Sequence, residues 1–183
     1  MFIQTERTPN PLTLKFLPGR DVATGGAQFA RGDDTSRSPL ATTLLAIDGI
    51  EGIYLGTDFV SVTKSDAADW MLLKPMILSD IMEHFTSGRP VLTEEGAAEA
   101  AAAGGAGDDE VSATIRELID TRVRPAVAQD GGDIVFEGFE DGIVYLQMHG
   151  ACSGCPSSTM TLKNGIETML KHYVPEVIEV RQA

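Results

Sequence analysis

Apolar side chains recur along this chain with two periods, and the switches between them outline its elements. In the C-terminal half, Val111, Ile115, Ile119, Val123 and Val127 repeat strictly at i, i+4. That stripe predicts a helix over 108–128, with Asp108 and Asp109 at the favourable end of its dipole. Pro125 is expected to kink this helix or end it near Val123. Beyond Gly131-Gly132, the stretches 134–139 and 143–149 predict two strands around Glu140-Asp141-Gly142, a hairpin. Thr159, Leu162, Ile166, Met169, Leu170 and Tyr173 then mark a helix over 156–173, and 177–180 a last strand. The order is αββαβ.

The N-terminal half reads ββαββαβ. Strands at 2–6 and 12–16 flank Thr8-Pro9-Asn10-Pro11, whose prolines favour a turn. Ser38 as N-cap and Pro39 at the first helical position open a helix that Asp48-Gly49 stops. Strands follow at 50–55 and 59–63. Lys74-Pro75 is expected to start a second helix, with Ile77, Leu78, Ile81, Met82 and Phe85 inward, and 89–92 to close as a strand. Residues 19–37 predict a long loop or irregular edge. Paired strands interrupted by helices indicate an α+β fold, helices on one face of a mainly antiparallel sheet. Between the halves, 94–107 reads EEGAAEAAAAGGAG, with no large apolar side chain to offset the entropy of ordering. We read 1–93 and 108–183 as two domains and 94–107 as a flexible linker, its Ala run good for a turn or two of helix.

Composition narrows the function classes. With 43% hydrophobic and 22% charged residues, the 183-residue chain is neither disordered nor membranous in character. No apolar run approaches the roughly 20 residues that span a bilayer. A net charge of −13 would repel a phosphate backbone, which argues against nucleic acid as a partner. The first residues hold neither a basic signal region nor an Arg-rich transit peptide, so a cytoplasmic protein is expected. The two cysteines, three positions apart, close too small a loop to staple a secreted scaffold.

Those cysteines carry the chemistry. In Cys152-Ser153-Gly154-Cys155 both sulfurs can face one metal or cluster. Pro156-Ser157-Ser158 marks a helix N-terminus, which is expected to lower the thiol pKa below about 8.5. Four readings stay open: an incidental pair, a thioredoxin-like redox pair, half of a zinc site, and half of an iron–sulfur site. Either metal reading wants four ligands where one chain offers two thiolates, and so demands a second chain. Histidine does not complete the set. His149 precedes Cys152 at a strand end and is a weak candidate, while His84 and His172 are expected to be solvated. Gly131-Gly132 lacks the Lys and Ser/Thr of a phosphate loop and reads as a turn. No nucleophile–base pairing stands out, so nothing points to an enzyme.

Asp130-Gly131-Gly132-Asp133-Ile134, the hairpin, Gly150-Ala151-Cys152-Ser153-Gly154-Cys155-Pro156-Ser157-Ser158-Thr159 and Thr161-Leu162-Lys163-Asn164-Gly165-Ile166-Glu167 resemble the C-terminal domain of NifU-like (Nfu) iron–sulfur scaffold proteins. Thr8-Pro9-Asn10-Pro11, Ser38-Pro39-Leu40-Ala41, the run from Asp58 to Lys64, Trp70 and Lys74 resemble the family's separate N-terminal domain. The resemblance implies a carrier. Cys152 and Cys155 of each protomer would hold a labile [4Fe-4S] cluster, or [2Fe-2S] in its place, between two chains. Apo iron–sulfur proteins would accept it, upstream assembly proteins would supply it, and the homodimer would depend on it. Gly150, Gly154 and Pro156 would shape the loop, and Asp130 to Asp133 would support the fold. The N-terminal domain, without cysteine, would select or shield. With no leader in sight, a bacterial protein is expected.

Overall fold

In a computed structural model, residues 1–102, 109–153 and 156–183 are described, 156–158 by backbone only. Both halves are small α+β units, each with its own hydrophobic core. The first holds β1 (Gln4–Arg7), β2 (Thr13–Leu17), β3 (Ala27–Ala30), α1 (Pro39–Leu45), β4 (Ile50–Leu55), β5 (Val60–Lys64) and α2 (Trp70–Thr86). Its sheet runs β1-β2-β5-β4-β3, antiparallel throughout. Phe16, Ile53, Leu55 and Val62 turn one face towards Leu40 and Leu44 of α1 and Ile77 and Ile81 of α2, all within one buried cluster. Ser38 caps α1, its Oγ accepting from Ala41 N–H, as its position before Pro39 predicts.

Three details depart from the expected order. Residues 19–37 contribute a genuine edge strand, β3, which pairs with β4. Helix α2 begins at Trp70 on the N-cap Asp69, so Pro75 lies inside it rather than at its start. Residues 89–92 form no strand. Pro90 has no N–H to give a ladder, and the segment is tied by side chains instead: Ser38 Oγ donates to the Val91 carbonyl at 2.7 Å, and His84 Nε2 meets the Pro90 carbonyl at 3.1 Å. His84 is therefore fully buried, not solvated as expected.

That burial gives a pH signature. Desolvation, then the Arg89 charge, hold the His84 pKa below its ordinary 6.5. The unfolded chain takes up this proton near pH 6.5 and the folded chain only at lower pH. The stability it confers is thus present above about pH 6.5 and lost as pH falls through the folded value. Thermal melts between about pH 7.5 and 5.5 should show a shallower decline in His84→Phe than in the parent chain. Equal slopes would remove His84 from the explanation.

Part of the stretch read as linker is helical: α3 (Glu94–Ala102) runs on from Thr93, whose N–H donates to the Arg37 carbonyl at 2.8 Å, and Arg37 pairs with Glu99. Residues 103–107 lie outside the described residues.

The second half follows the αββαβ order. Its first helix is continuous from α4 (Glu110–Leu118) through a π-helical segment (Ile119–Val123) into α5 (Arg124–Gln129). Arg124 N–H reaches back five residues to the Ile119 carbonyl, and this wider turn lets Pro125 follow without ending the helix. β6 (Gly132–Glu140) and β7 (Ile143–Gly150) form the expected hairpin, and β8 (Glu179–Gln182) lies parallel to β7 after α6 (Pro156–Tyr173). Ile115, Ile119, Ile134, Val144, Leu146 and Leu170 fill this core.

Candidate functional site

The far face of the first sheet is where the two halves meet. Alternation points Lys15, Ser61, Tyr54 and Gln28 away from the first core, and strand register aligns them in one transverse row: Lys15 opposite Ser61, Ser61 opposite Tyr54, Tyr54 opposite Gln28. Each member of the row binds the second half. Lys15 Nζ donates to the Gln129 carbonyl at 3.4 Å and Ser61 Oγ to the Gly131 carbonyl. The Tyr54 hydroxyl donates to Asp133 Oδ2 at 2.6 Å, and Gln28 Oε1 accepts from Gly150 N–H at 2.9 Å. Four strands thus read the segment 129–133 and the end of β7.

Asp133 is the hub. It is 5% exposed. Its two oxygens accept from Arg124 Nε and Nη2 at 2.8 Å each, and Oδ1 also takes its neighbour Ile134 N–H. Burial raises the Tyr54 phenol well above its ordinary range, with the Asp133 charge adding to the effect, so the phenol is a fixed donor. Hydrogen bonding to Asp133 likewise raises Arg124, which remains a cation.

The cysteine loop leaves β7 from this junction. Gly150, at φ 64°, turns the chain; Ala151 N–H then donates to the Gly131 carbonyl at 3.1 Å, and Thr159 Oγ1 of α6 to the Cys152 carbonyl at 3.0 Å. Gly132 pairs with Gly150 across the hairpin, and a Cβ on Gly132 would overlap Cys152 Sγ. The thiol tucks against that bare Cα and is only 7% exposed. Cys155 lies outside the described residues.

Cys152 also lines a cavity of about 490 Å³ whose walls are Val127, Asp130, Ala151, Thr161, Leu162 and, from the other half, Pro9. Many water volumes would fit there. For Cys152 the expectation of a lowered thiol pKa is overturned: burial, then the charges of Asp130 and Asp133, push its thiol up to about 12. In this docked arrangement the sulfur is a protonated, sheltered group, whereas thiol–disulfide enzymes present an exposed thiolate.

Histidine does not join the sulfur. His149 turns to the other half, its ring stacked on Tyr54 with centroids 5.9 Å apart and its Nδ1 3.2 Å from Gln28 Oε1. His172 is exposed at the far end of α6. No group of three His, Cys, Asp or Glu among the described residues could hold a metal. The thiol of Cys152 suits iron or zinc, but one described sulfur is a fraction of either ligand set. The row Lys15, Ser61, Tyr54 and Gln28 was missed by sequence reading; its only trace there is polar side chains at alternating strand positions.

Comparison with known proteins bears on these features. Residues 3–88 match the family described as scaffold protein Nfu/NifU N terminal, and residues 115–181 the NifU-like domain. The human NFU1 iron-sulfur cluster scaffold homolog, mitochondrial, is 52% identical over 184 residues, covering all of this chain and 72% of its own length. NifU-like protein 4, mitochondrial, of Arabidopsis thaliana is 51% identical over 186 residues, covering 100% of this chain and 66% of its own. The Drosophila erecta homolog of the human protein is 50% identical, and this chain spans 65% of its length. A solution structure of a NifU-like protein from Saccharomyces cerevisiae superposes on 51% of this chain and 86% of its own, at TM-score 0.48 and 24% identity. The expectation of a bacterial cytoplasmic protein does not survive: the human, fly and plant relatives are all named mitochondrial.

Proposed function

The chain belongs to the Nfu/NifU family of iron–sulfur cluster scaffold proteins, and from that premise we propose that it carries a labile cluster, [4Fe-4S] in its main form, bridged between two protomers by Cys152 and Cys155 of each. Apo iron–sulfur proteins receive that cargo. The observation that carries this reading is the placement of Cys152: a sulfur ligand at a turn, facing a cavity of about 490 Å³, with no other metal-ligating cluster among the described residues. Two thiolates per chain make half of a four-ligand set, so the complete site is a property of two chains. Because the cluster is the cross-link, loading and dimerisation are linked, and the empty protein is monomeric at concentrations where the loaded one is not.

The N-terminal half, which contains no cysteine, shields the loop. While the row from Lys15 to Gln28 grips the segments beside Cys152, the sulfur is protonated and Pro9 walls its cavity. A second protomer cannot then bring its own sulfurs alongside. Loading and release therefore require the two halves to part, which separates a sheltered resting form from an open, exchanging one.

Anaerobic reconstitution with iron and sulfide, followed by iron, sulfide and mass determination, tests the reading. About four irons and four sulfides per two chains are expected, with broad visible absorption lost in Cys152→Ser and in Cys155→Ser. Zinc at about one per dimer, with no reconstituted cluster, would sink the proposal. Removing residues 1–93 should leave cluster binding intact and speed its loading. A truncated chain that cannot bind a cluster would refute the division of labour.

A further inference from the structure

Away from the cysteine loop, on the opposite side of the N-terminal half, α2 leaves large apolar side chains uncovered. Met71 is 82% exposed and Leu72 72%. Leu72 and Met76, one helical turn apart, form one wall of a groove of about 720 Å³. Ala46 and Ile47 at the end of α1 form the other, and Ala68 and the buried Leu73 the floor. Along α2 the groove runs from Asp69 to Asp80, roughly 16 Å of helix axis. That length matches three turns of a docked helix. Exposed methionine adapts its shape to what it touches, which suits a docking surface.

The rim says what kind of segment fits. Asp48, Asp69 and Asp80 stand around the groove, and no cationic side chain lines it among the described residues. Asp69 caps α2 by accepting from Met71 N–H at 2.9 Å. Asp80 has no ion pair among the described residues; partial burial, then Glu83, push its carboxyl above the ordinary range. An added cation would relieve it. We propose that this groove is a docking site for an amphipathic helical segment of a partner protein, apolar along one edge and carrying Lys or Arg where it meets Asp48, Asp69 and Asp80. The mode is helix in groove, with charge fixing the register. An anionic lipid surface is disfavoured by the same rim and by the net charge of −13. The groove lies on the N-terminal half and involves neither cysteine, so the inference stands apart from the cluster reading.

The probe is a synthetic peptide of about three helical turns, Leu along one edge and Lys elsewhere, with a Glu-for-Lys control. Both are titrated into the full-length, isotope-labelled apo chain. The Lys peptide should shift amide signals in 43–48 and 67–80, and the control should bind about tenfold more weakly or not at all. Leu72→Ser with Met76→Ser should weaken binding about tenfold. So should the triple exchange Asp48→Asn, Asp69→Asn and Asp80→Asn, which keeps the cap because Asn serves at that position. Cys152→Ser should bind the peptide as the parent does, whatever becomes of the cluster. Shifts that map elsewhere, equal affinity for the Glu control, undiminished binding by the groove variants, or a groove filled by a second copy of this chain would each overturn the proposal.

Discussion

Asp133→Ala is expected to cost the folded chain about 2–4 kcal/mol and to part its two halves. The carboxylate is buried and satisfies four donors at once: two from Arg124, the Tyr54 hydroxyl and the Ile134 N–H. Alanine leaves Tyr54 and Arg124 facing each other across a gap. Arg124 is about one third exposed and can turn to water, which keeps the cost below that of a fully buried pair. Tyr54→Phe removes a single donor and should cost about 1 kcal/mol. Urea unfolding gives the energies, and small-angle scattering the separation. If Asp133→Ala keeps the compact scattering profile and loses under about 0.5 kcal/mol, the hub role is wrong. Together with opening, the Cys152 thiol should react faster with an alkylating probe, since its shelter goes with the docked half.

Gly150→Ala should be the second severe change, losing about 2–4 kcal/mol and the reconstituted cluster together. At φ 64° any side chain is strained, by about 1 kcal/mol. Here, too, a Cβ would stand 2.5 Å from the Gly131 carbonyl oxygen and 3.2 Å from Gly132 Cα, atoms of backbone that cannot swing aside. Relief must come from spreading the hairpin end, which moves the turn carrying Cys152. Gly19 supplies the control: it has φ 75° but open space around its missing Cβ. Gly19→Ala therefore carries the strain alone. Equal stability losses in the two variants would show that the close approach at Gly150 contributes nothing.

What could be read in the sequence divides along physical lines. Elements whose signals are local were legible: the Ser38-Pro39 cap, the hairpin around Glu140-Asp141-Gly142, and the long stripe of α6. The α2 start was misplaced because Lys74-Pro75 looks like a first turn. In the folded chain the Asp69 cap acts earlier, and Pro75 is exposed, where a missing N–H is easily borne. The edge strand β3 is four residues between glycines and carries no apolar alternation of its own; it exists through its pairing with β4. At the site, the position of Cys152 directly after the hairpin was legible. The thiol's shelter was not, because it arises from strand register: Lys15, Ser61, Tyr54 and Gln28 lie far apart in sequence and become a row only when β2, β5, β4 and β3 align. A lone polar residue in a strand reads as a solvent face, and here that face meets the other half of the chain.

The π-helical segment of the first helix in the C-terminal half has an angular meaning as well. In an ordinary α-helix each residue advances about 100°, so a strict four-residue repeat creeps about 40° per step. From Val111 to Val127 that creep would carry the stripe about 160° around the axis, almost to the opposite side. Yet Ile115, Ile119, Val123 and Val127 all enter one core. The wide turn at Ile119–Val123 takes up one extra residue, sets the rotation back by about 100°, and straightens the stripe. The regularity of those five apolar positions is thus a timing mark: four-residue spacing sustained this long is out of phase with an uninterrupted α-helix. The same correction fixes the heading from which Arg124, the next residue in the chain, meets Asp133.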